Sequence, residues 1–261
     1  MKHLFLIVFV TLTLVSAGQL GSVGDRMLDP NYFNKWNMGV DVSFDLGFRT
    51  LIDNDNSEAS SLIISSRNDI EFIKPGFTAG VNVIRNLSKK WALVGGISYS
   101  RKGYSSKIEN LTFGDMIDPR TGFIYETVDS KRYDAVQLNY HMNYIDVPIK
   151  ATYLFGKEEN QYGRKWYAGL GLVNSYFINE VVTSKKTLDG KKVGKDSYSE
   201  REGFNKYMFS PAIYFGTYRL NAFDHQLRIE ANFKYGVTEI TDTNVSATLW
   251  TTGVSVGYYL N

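Results

Sequence analysis

The chain has no cysteine, and only 5 prolines and 3 histidines among its 261 residues. Without cysteine there is no disulfide scaffold, no thiolate metal site and no thiol nucleophile. Excess charge of one sign is also missing: 29 Lys and Arg against 27 Asp and Glu leave a net charge of +2. A nucleic-acid binder normally carries a basic face, so no nucleic-acid partner is expected. Past the N-terminal segment no run of about 18 apolar residues occurs, so no transmembrane helix is expected there. Aromatic residues, by contrast, are abundant. Together 18 Tyr, 16 Phe and 4 Trp make up 15% of the chain. With 43% hydrophobic and 21% charged residues the chain is not disordered. A mean hydropathy of −0.23 is low for so aromatic a sequence, and the patterning has to account for it.

Residues 1–17 have the form of a secretory signal peptide: Lys2 and His3, an apolar or Thr stretch from Leu4 to Val15, then Val15-Ser16-Ala17 as a small-residue cleavage site. The segment is too short to cross about 30 Å of hydrocarbon comfortably. Residues 18–35 are expected to be a periplasmic lead and 36–261 the folded domain.

That domain alternates with period two. From Trp36 to Phe48, Trp36, Met38, Val40, Val42, Phe44, Leu46 and Phe48 alternate with Asn37, Gly39, Asp41, Ser43, Asp45 and Gly47. A strand separates these sets onto two faces, whereas a helix would mix them. The same alternation marks Phe77–Val83, Trp91–Tyr99, Val136–Met142, Ile145–Tyr153, Trp166–Leu172, Leu227–Val237 and Trp250–Leu260. Between Met142 and Ile145 the phase slips by one residue, as a β-bulge at Tyr144-Ile145 would cause. The aromatic stretch Tyr207–Tyr218 has no assignable phase. Eight strands result, and no segment has a convincing amphipathic helical period.

The connections alternate in length. Long ones, 49–69, 101–135 and 179–205, follow the odd-numbered strands, with a moderate one near 238–244; short ones, 86–90, 156–165 and 219–225, follow the even-numbered strands. Long loops at one rim and short turns at the other indicate an antiparallel up-and-down transmembrane β-barrel with long outer loops and short periplasmic turns. On this reading Asp41, Asp45, Asp146, Lys150, Arg228, Glu230 and Lys234 form a charge network in the lumen, which eight strands leave just wide enough for side chains to fill. Trp36, Trp91, Tyr99, Tyr153, Trp166, Tyr235 and Tyr258 fall at strand ends on the apolar phase, as interfacial aromatics do. The alternative is a soluble periplasmic barrel, with the apolar faces turned inward.

Tyr144-Ile145-Asp146-Val147-Pro148-Ile149-Lys150 resembles the Y-[LI]-[ED]-[IV]-P-[LI] strand of the Bacteroidetes porin-family outer-membrane β-barrel domain, a group that includes PorT-like proteins. The W-x-x-G-V first strand at Trp36 to Val40 and the aromatic closing strand from Val254 to Leu260 match as well. The resemblance implies an eight-stranded OmpX-like barrel in the outer membrane of a Gram-negative bacterium; the word porin does not imply a pore.

Catalysis would require a His with a Ser or Asp partner. His141 is assigned to the lumen phase between Asn139 and Asn143, with Ser98 and Ser100 as candidate partners; His225 lies at a short turn. A hydrogen-bonding role is the simpler reading of His141. Pro148 is read as a local ladder break that aims Asp146 and Lys150 inward. Turns at Asp118–Gly122 and Leu188-Asp189-Gly190 suggest hairpins in the outer loops, the latter with a basic tip of Lys185, Lys186, Lys191, Lys192 and Lys195. The expectation is a non-enzymatic monomer without metal or cofactor, in contact with outer-membrane lipid and lipopolysaccharide. A surface ligand or protein partner would be met through loops 101–135 and 179–205. A narrow porin, a lipid-A-modifying enzyme and a secretion-system accessory barrel are the alternatives.

Overall fold

The protein is described by a computed structural model covering residues 36–88, 90–111, 133–155, 165–188, 190–200, 203–220, 225–241 and 245–260. The signal peptide, the lead 18–35, the turn at Asp118–Gly122 and Asn261 lie outside them. Nine strands and one helix occur among these residues: β1 (Trp36–Asp53), α1 (Glu58–Ile70), β2 (Glu71–Asn86), β3 (Trp91–Leu111), β4 (Tyr133–Phe155), β5 (Lys165–Leu188), β6 (Lys191–Glu200), β7 (Tyr207–Leu220), β8 (Gln226–Tyr235) and β9 (Val245–Leu260).

Neighbouring strands are antiparallel throughout, in the order β4-β3-β2-β1-β9-β8-β7-β5-β6, and β4 also pairs with β5. Eight strands therefore close a ring, sealed between β1 and β9 from Met38↔Leu260 to Asp53↔Val245. β6 stands outside the ring as the return arm of a hairpin on β5, turning at Gly190 with φ +70, a backbone conformation that glycine tolerates without a Cβ penalty.

The alternation acts as the period-two pattern requires, with the faces inverted relative to a soluble protein. On β1, Trp36, Met38, Val40, Val42 and Phe44 are exposed, and Asn37, Ser43 and Asp45 are buried. The same holds around the ring, with Ile97, Ile149, Leu170, Phe215, Ile229 and Val254 all exposed. An apolar belt that encircles a protein has no place in water, where exposed patches rarely exceed a few hundred Å². The soluble-barrel alternative is thereby excluded.

Three local expectations require correction. The phase of β4 does not slip at Tyr144-Ile145. Met142, Tyr144 and Asp146 all face inward, and the extra residue at this level is Ile178 on β5, between Asn143↔Asn179 and Tyr144↔Phe177. The apparent slip arises because the interior itself changes from polar to apolar: Val136 and Met142 both face inward, and Met142 belongs to an inner plug. Second, the loop after β1 contains a helix. Ser57 caps α1, its Oγ accepting from the Ser60 amide at 3.0 Å; α1 carries Leu62, Ile63 and Ile64 but gathers no apolar stripe, and only Ser60 is buried. Third, β1 and β3 run past Phe48 and Ser100 into the segments expected to be loops. On β7, Met208, Ser210, Ala212, Tyr214 and Tyr218 face inward and Tyr207, Ile213 and Phe215 outward.

Candidate functional site

The interior is filled in layers. At the long-loop end, Tyr104, Met142, Tyr144, Phe177, Met208, Ile240, Ala247 and Leu249 form one buried apolar cluster drawn from β3, β4, β5, β7, β9 and the β8–β9 connection. Above it Arg49 donates to Glu71 from Nε at 2.8 Å and lies 3.8 Å over the Tyr104 ring, which stacks on Tyr140. Below the plug, Lys102 Nζ donates to Asp146 Oδ1 and to Ser175 Oγ, both at 3.1 Å. Asp45 accepts from Ser43 at 2.7 Å and Thr78 at 2.5 Å, and Asp41 accepts from Asn82.

One layer further down, Lys150 Nζ donates to both oxygens of Glu230, at 2.6 and 2.7 Å. Tyr167 donates to the same carboxylate at 2.9 Å. At the short-turn end, Arg228 is held by Gln226 and lies 5.2–5.3 Å from the ring centres of Tyr167, Tyr218 and Tyr259. The polar space left among Asp41, Asn82, Asp146, Lys150, Glu230 and Lys234 is about 40 Å³. A water needs roughly 10–15 Å³ on this measure, so a few waters fit and a solute does not. Isolated buried ions are costly, and pairing is what makes this interior tolerable.

All seven charged residues assigned to the lumen face inward, but among the described residues only Lys150 and Glu230 pair with each other, while Asp41, Asp45 and Asp146 take their partners from outside the seven. Lys102 and Tyr167 supply essential partners that sequence reasoning missed. Lys102 continues the inward phase of Ser98 and Ser100, past the point where the hydrophobic alternation of β3 stops. Pro148 faces inward between Asp146 and Lys150, where the β3–β4 ladder lapses between Gly95↔Ile149 and Ser98↔Asp146.

The seven assigned aromatics all lie on the outward face. Trp91 and Tyr153 meet edge to face at 5.0 Å, Trp166 stacks on Phe215 at 5.6 Å, and Arg85 lies 5.0 Å over Trp36. Tyr258 bonds His225 Nδ1 at 2.7 Å.

His141 is not in the lumen. It shares the outward face of β4 with Asn143 and Ile145, whereas Ser98 and Ser100 are buried on the inward face of β3. The sheet separates the His from both candidate hydroxyls, so that catalytic constellation does not form.

An antiparallel ring with an apolar outside and a charged, filled inside defines the class of outer-membrane β-barrels. The chain belongs to the outer membrane protein beta-barrel domain family, whose model matches residues 52–242. Among solved structures it is similar to neisserial surface protein A, with 12% identity over 86% of this chain and 96% of that one, at a TM-score of 0.41. The attachment invasion locus protein Ail of Yersinia pestis shares 13% identity over 85% and 97%, at 0.31. The N-terminal barrel of Pseudomonas aeruginosa OprF shares 12% over 84% and 97%, also at 0.31. These likenesses are too distant to bear on function. No curated protein matches the chain.

Proposed function

We propose that this protein is a non-conducting, non-enzymatic barrel of a Gram-negative outer membrane that acts through its outward surface, in surface interaction or adhesion or in envelope integrity. The observation that carries this reading is the closed interior, where the Lys150–Glu230 pair crosses the lumen beneath an apolar plug. A barrel filled in this way has its free chemistry outside. The wall formed by the upper parts of β3, β4, β5 and β6 carries the segments 101–135 and 179–205 through which a surface ligand or partner would be met.

Export through a cleaved signal peptide, a monomeric state and the narrower kinship with Bacteroidetes porin-family barrels belong to the same proposal. Single-channel recording in planar bilayers tests it. Silence is expected, and discrete conductance steps would replace it with the narrow-porin alternative. Retention in the outer-membrane fraction with heat-modifiable gel migration tests the location.

A further inference from the structure

Across β4, β5 and β7 the apolar belt is recessed. A cavity of about 230 Å³ opens outward between Ile145 and Val147 on β4 and Tyr207 and Phe209 on β7. Asn174 and Tyr176 lie on β5, the strand between them. The depth of this recess follows from β4. Its outward face passes from His141 and Asn143 to the exposed Ile145, Val147 and Ile149, so hydrocarbon begins at Ile145. Asn174 pairs with Val147, one outward position further in. On its own strand the exposed Leu172 and Tyr176 stand on either side of it.

Asn174 is therefore an amide on the lipid-facing wall, exposed and with no hydrogen bond among the described residues. Its register neighbours Val147 and Phe209 are apolar and offer it nothing. Thr252 shows the usual solution for a polar side chain on this face. Lying outward between Trp250 and Val254 on β9, it donates to the Asn232 carbonyl at 3.1 Å. A polar group in hydrocarbon without such a partner is costly. The recess also contains Thr238, whose Oγ accepts from the Phe209 amide at 3.0 Å and keeps its own proton to donate.

We infer that this recess binds a small aromatic ligand carrying one hydroxyl or N–H group, which enters from the bilayer. The ligand's proton goes to Asn174 Oδ1. Its ring packs against Phe209 and the Tyr176–Tyr207 pair, which meet edge to face at 5.4 Å, an aromatic wall that favours another ring. An apolar cavity of about 150 Å³ holds benzene, so the larger volume here suits two fused rings. An acyl chain fills the recess but leaves the amide unpaired; a water serves the amide but leaves the apolar walls unfilled. A ring with a single donor does both. The inference goes beyond the proposed function and shares with it only the placement of the apolar belt in lipid.

The test uses the full barrel in nanodiscs of zwitterionic phospholipid, titrated with 2-naphthol or with naphthalene, which has the same rings and no donor. Binding is read by NMR at the asparagine side-chain amides and the valine methyls, with ligand concentrations taken in the lipid phase. 2-Naphthol should shift the Val147 methyls saturably, together with one amide pair that is missing from Asn174→Leu. It should bind about fivefold more tightly than naphthalene, as one hydrogen bond implies. In Asn174→Leu that preference should vanish, although the variant places an apolar side chain in the belt and should insert at least as stably. Equal affinity for the two ligands, or a preference that survives in Asn174→Leu, overturns the inference. A shift that rises with ligand without saturating also overturns it, leaving only partitioning into lipid. A barrel that fails to insert overturns the placement in the membrane; an inserted barrel without the preference overturns the recess alone.

Discussion

Lys150 and Glu230 meet at 2.6 Å although their strands, β4 and β8, are not neighbours in the ring. A contact of this kind spans the lumen and ties opposite walls together. Glu230→Gln leaves the Lys150 ammonium buried beside a neutral partner and should cost about 3–5 kcal/mol, with most of that loss recovered in Lys150→Met/Glu230→Leu. Urea unfolding of the barrel in bilayers measures both. A double variant no more stable than the single one would show that packing, not the pair, holds this layer.

The apolar plug should behave like a soluble core. Tyr144→Ala should destabilise by about 3–5 kcal/mol and Leu249→Ala by about 2–5 kcal/mol, through lost transfer energy and the residual cavity. Neither variant should conduct in planar bilayers, because the Lys102–Asp146–Ser175 layer below still closes the lumen. Conductance in Tyr144→Ala would make the plug the sole seal.

Leu170 and Val193 are both exposed apolar residues, at 70% and 52%, but they face different solvents on this reading. Leu170 lies on β5 between Trp166 and Tyr176, within the apolar belt; Val193 lies on β6, outside the ring. Leu170→Arg should cost about 2–4 kcal/mol in a bilayer, and Val193→Lys should stay within about 0.5 kcal/mol. Equal costs in reversible unfolding would contradict the placement of the belt.

Asp55, in the connection ahead of α1, accepts from the Ser57 amide at 3.0 Å. Hydrogen bonding from Ser60, then from Ser57, lowers its carboxyl from 3.8 to about 2. A depressed acid favours the folded state above the ordinary carboxyl range and loses that contribution as pH falls toward its folded value. Protection of the first amides of α1 against hydrogen exchange should therefore decline between pH 4 and about 2, and a carboxyl titration by NMR should show Ser60→Ala moving Asp55 back up.

The period-two pattern was readable wherever one face meets lipid and the other meets polar side chains, as on β1 from Trp36 to Phe48 and on β8. It misled where both environments change along one strand. Above Tyr144 the inside of β4 becomes apolar and the outside polar, so the chain mimics a slipped register and His141 is assigned to the wrong face. β7 resisted assignment because Tyr214 and Tyr218 are aromatic yet point inward. Strand ends were cut short because hydrophobic alternation stops at the membrane boundary and backbone pairing does not. Lys102 and Arg49 lie just past those cuts. α1 has no apolar stripe, so only its Ser57 cap announced it.

The seam between β1 and β9 joins the ring's first strand in chain order to its last, pairing Met38 with Leu260 and Asp53 with Val245. Until β9 arrives, that edge of β1 has no ladder, and in hydrocarbon each unpaired backbone group costs several kcal/mol. Closure therefore depends on the most distant contact in the ring, the slow kind to form. Insertion must accordingly be concerted, or the β1 edge must be chaperoned while it waits.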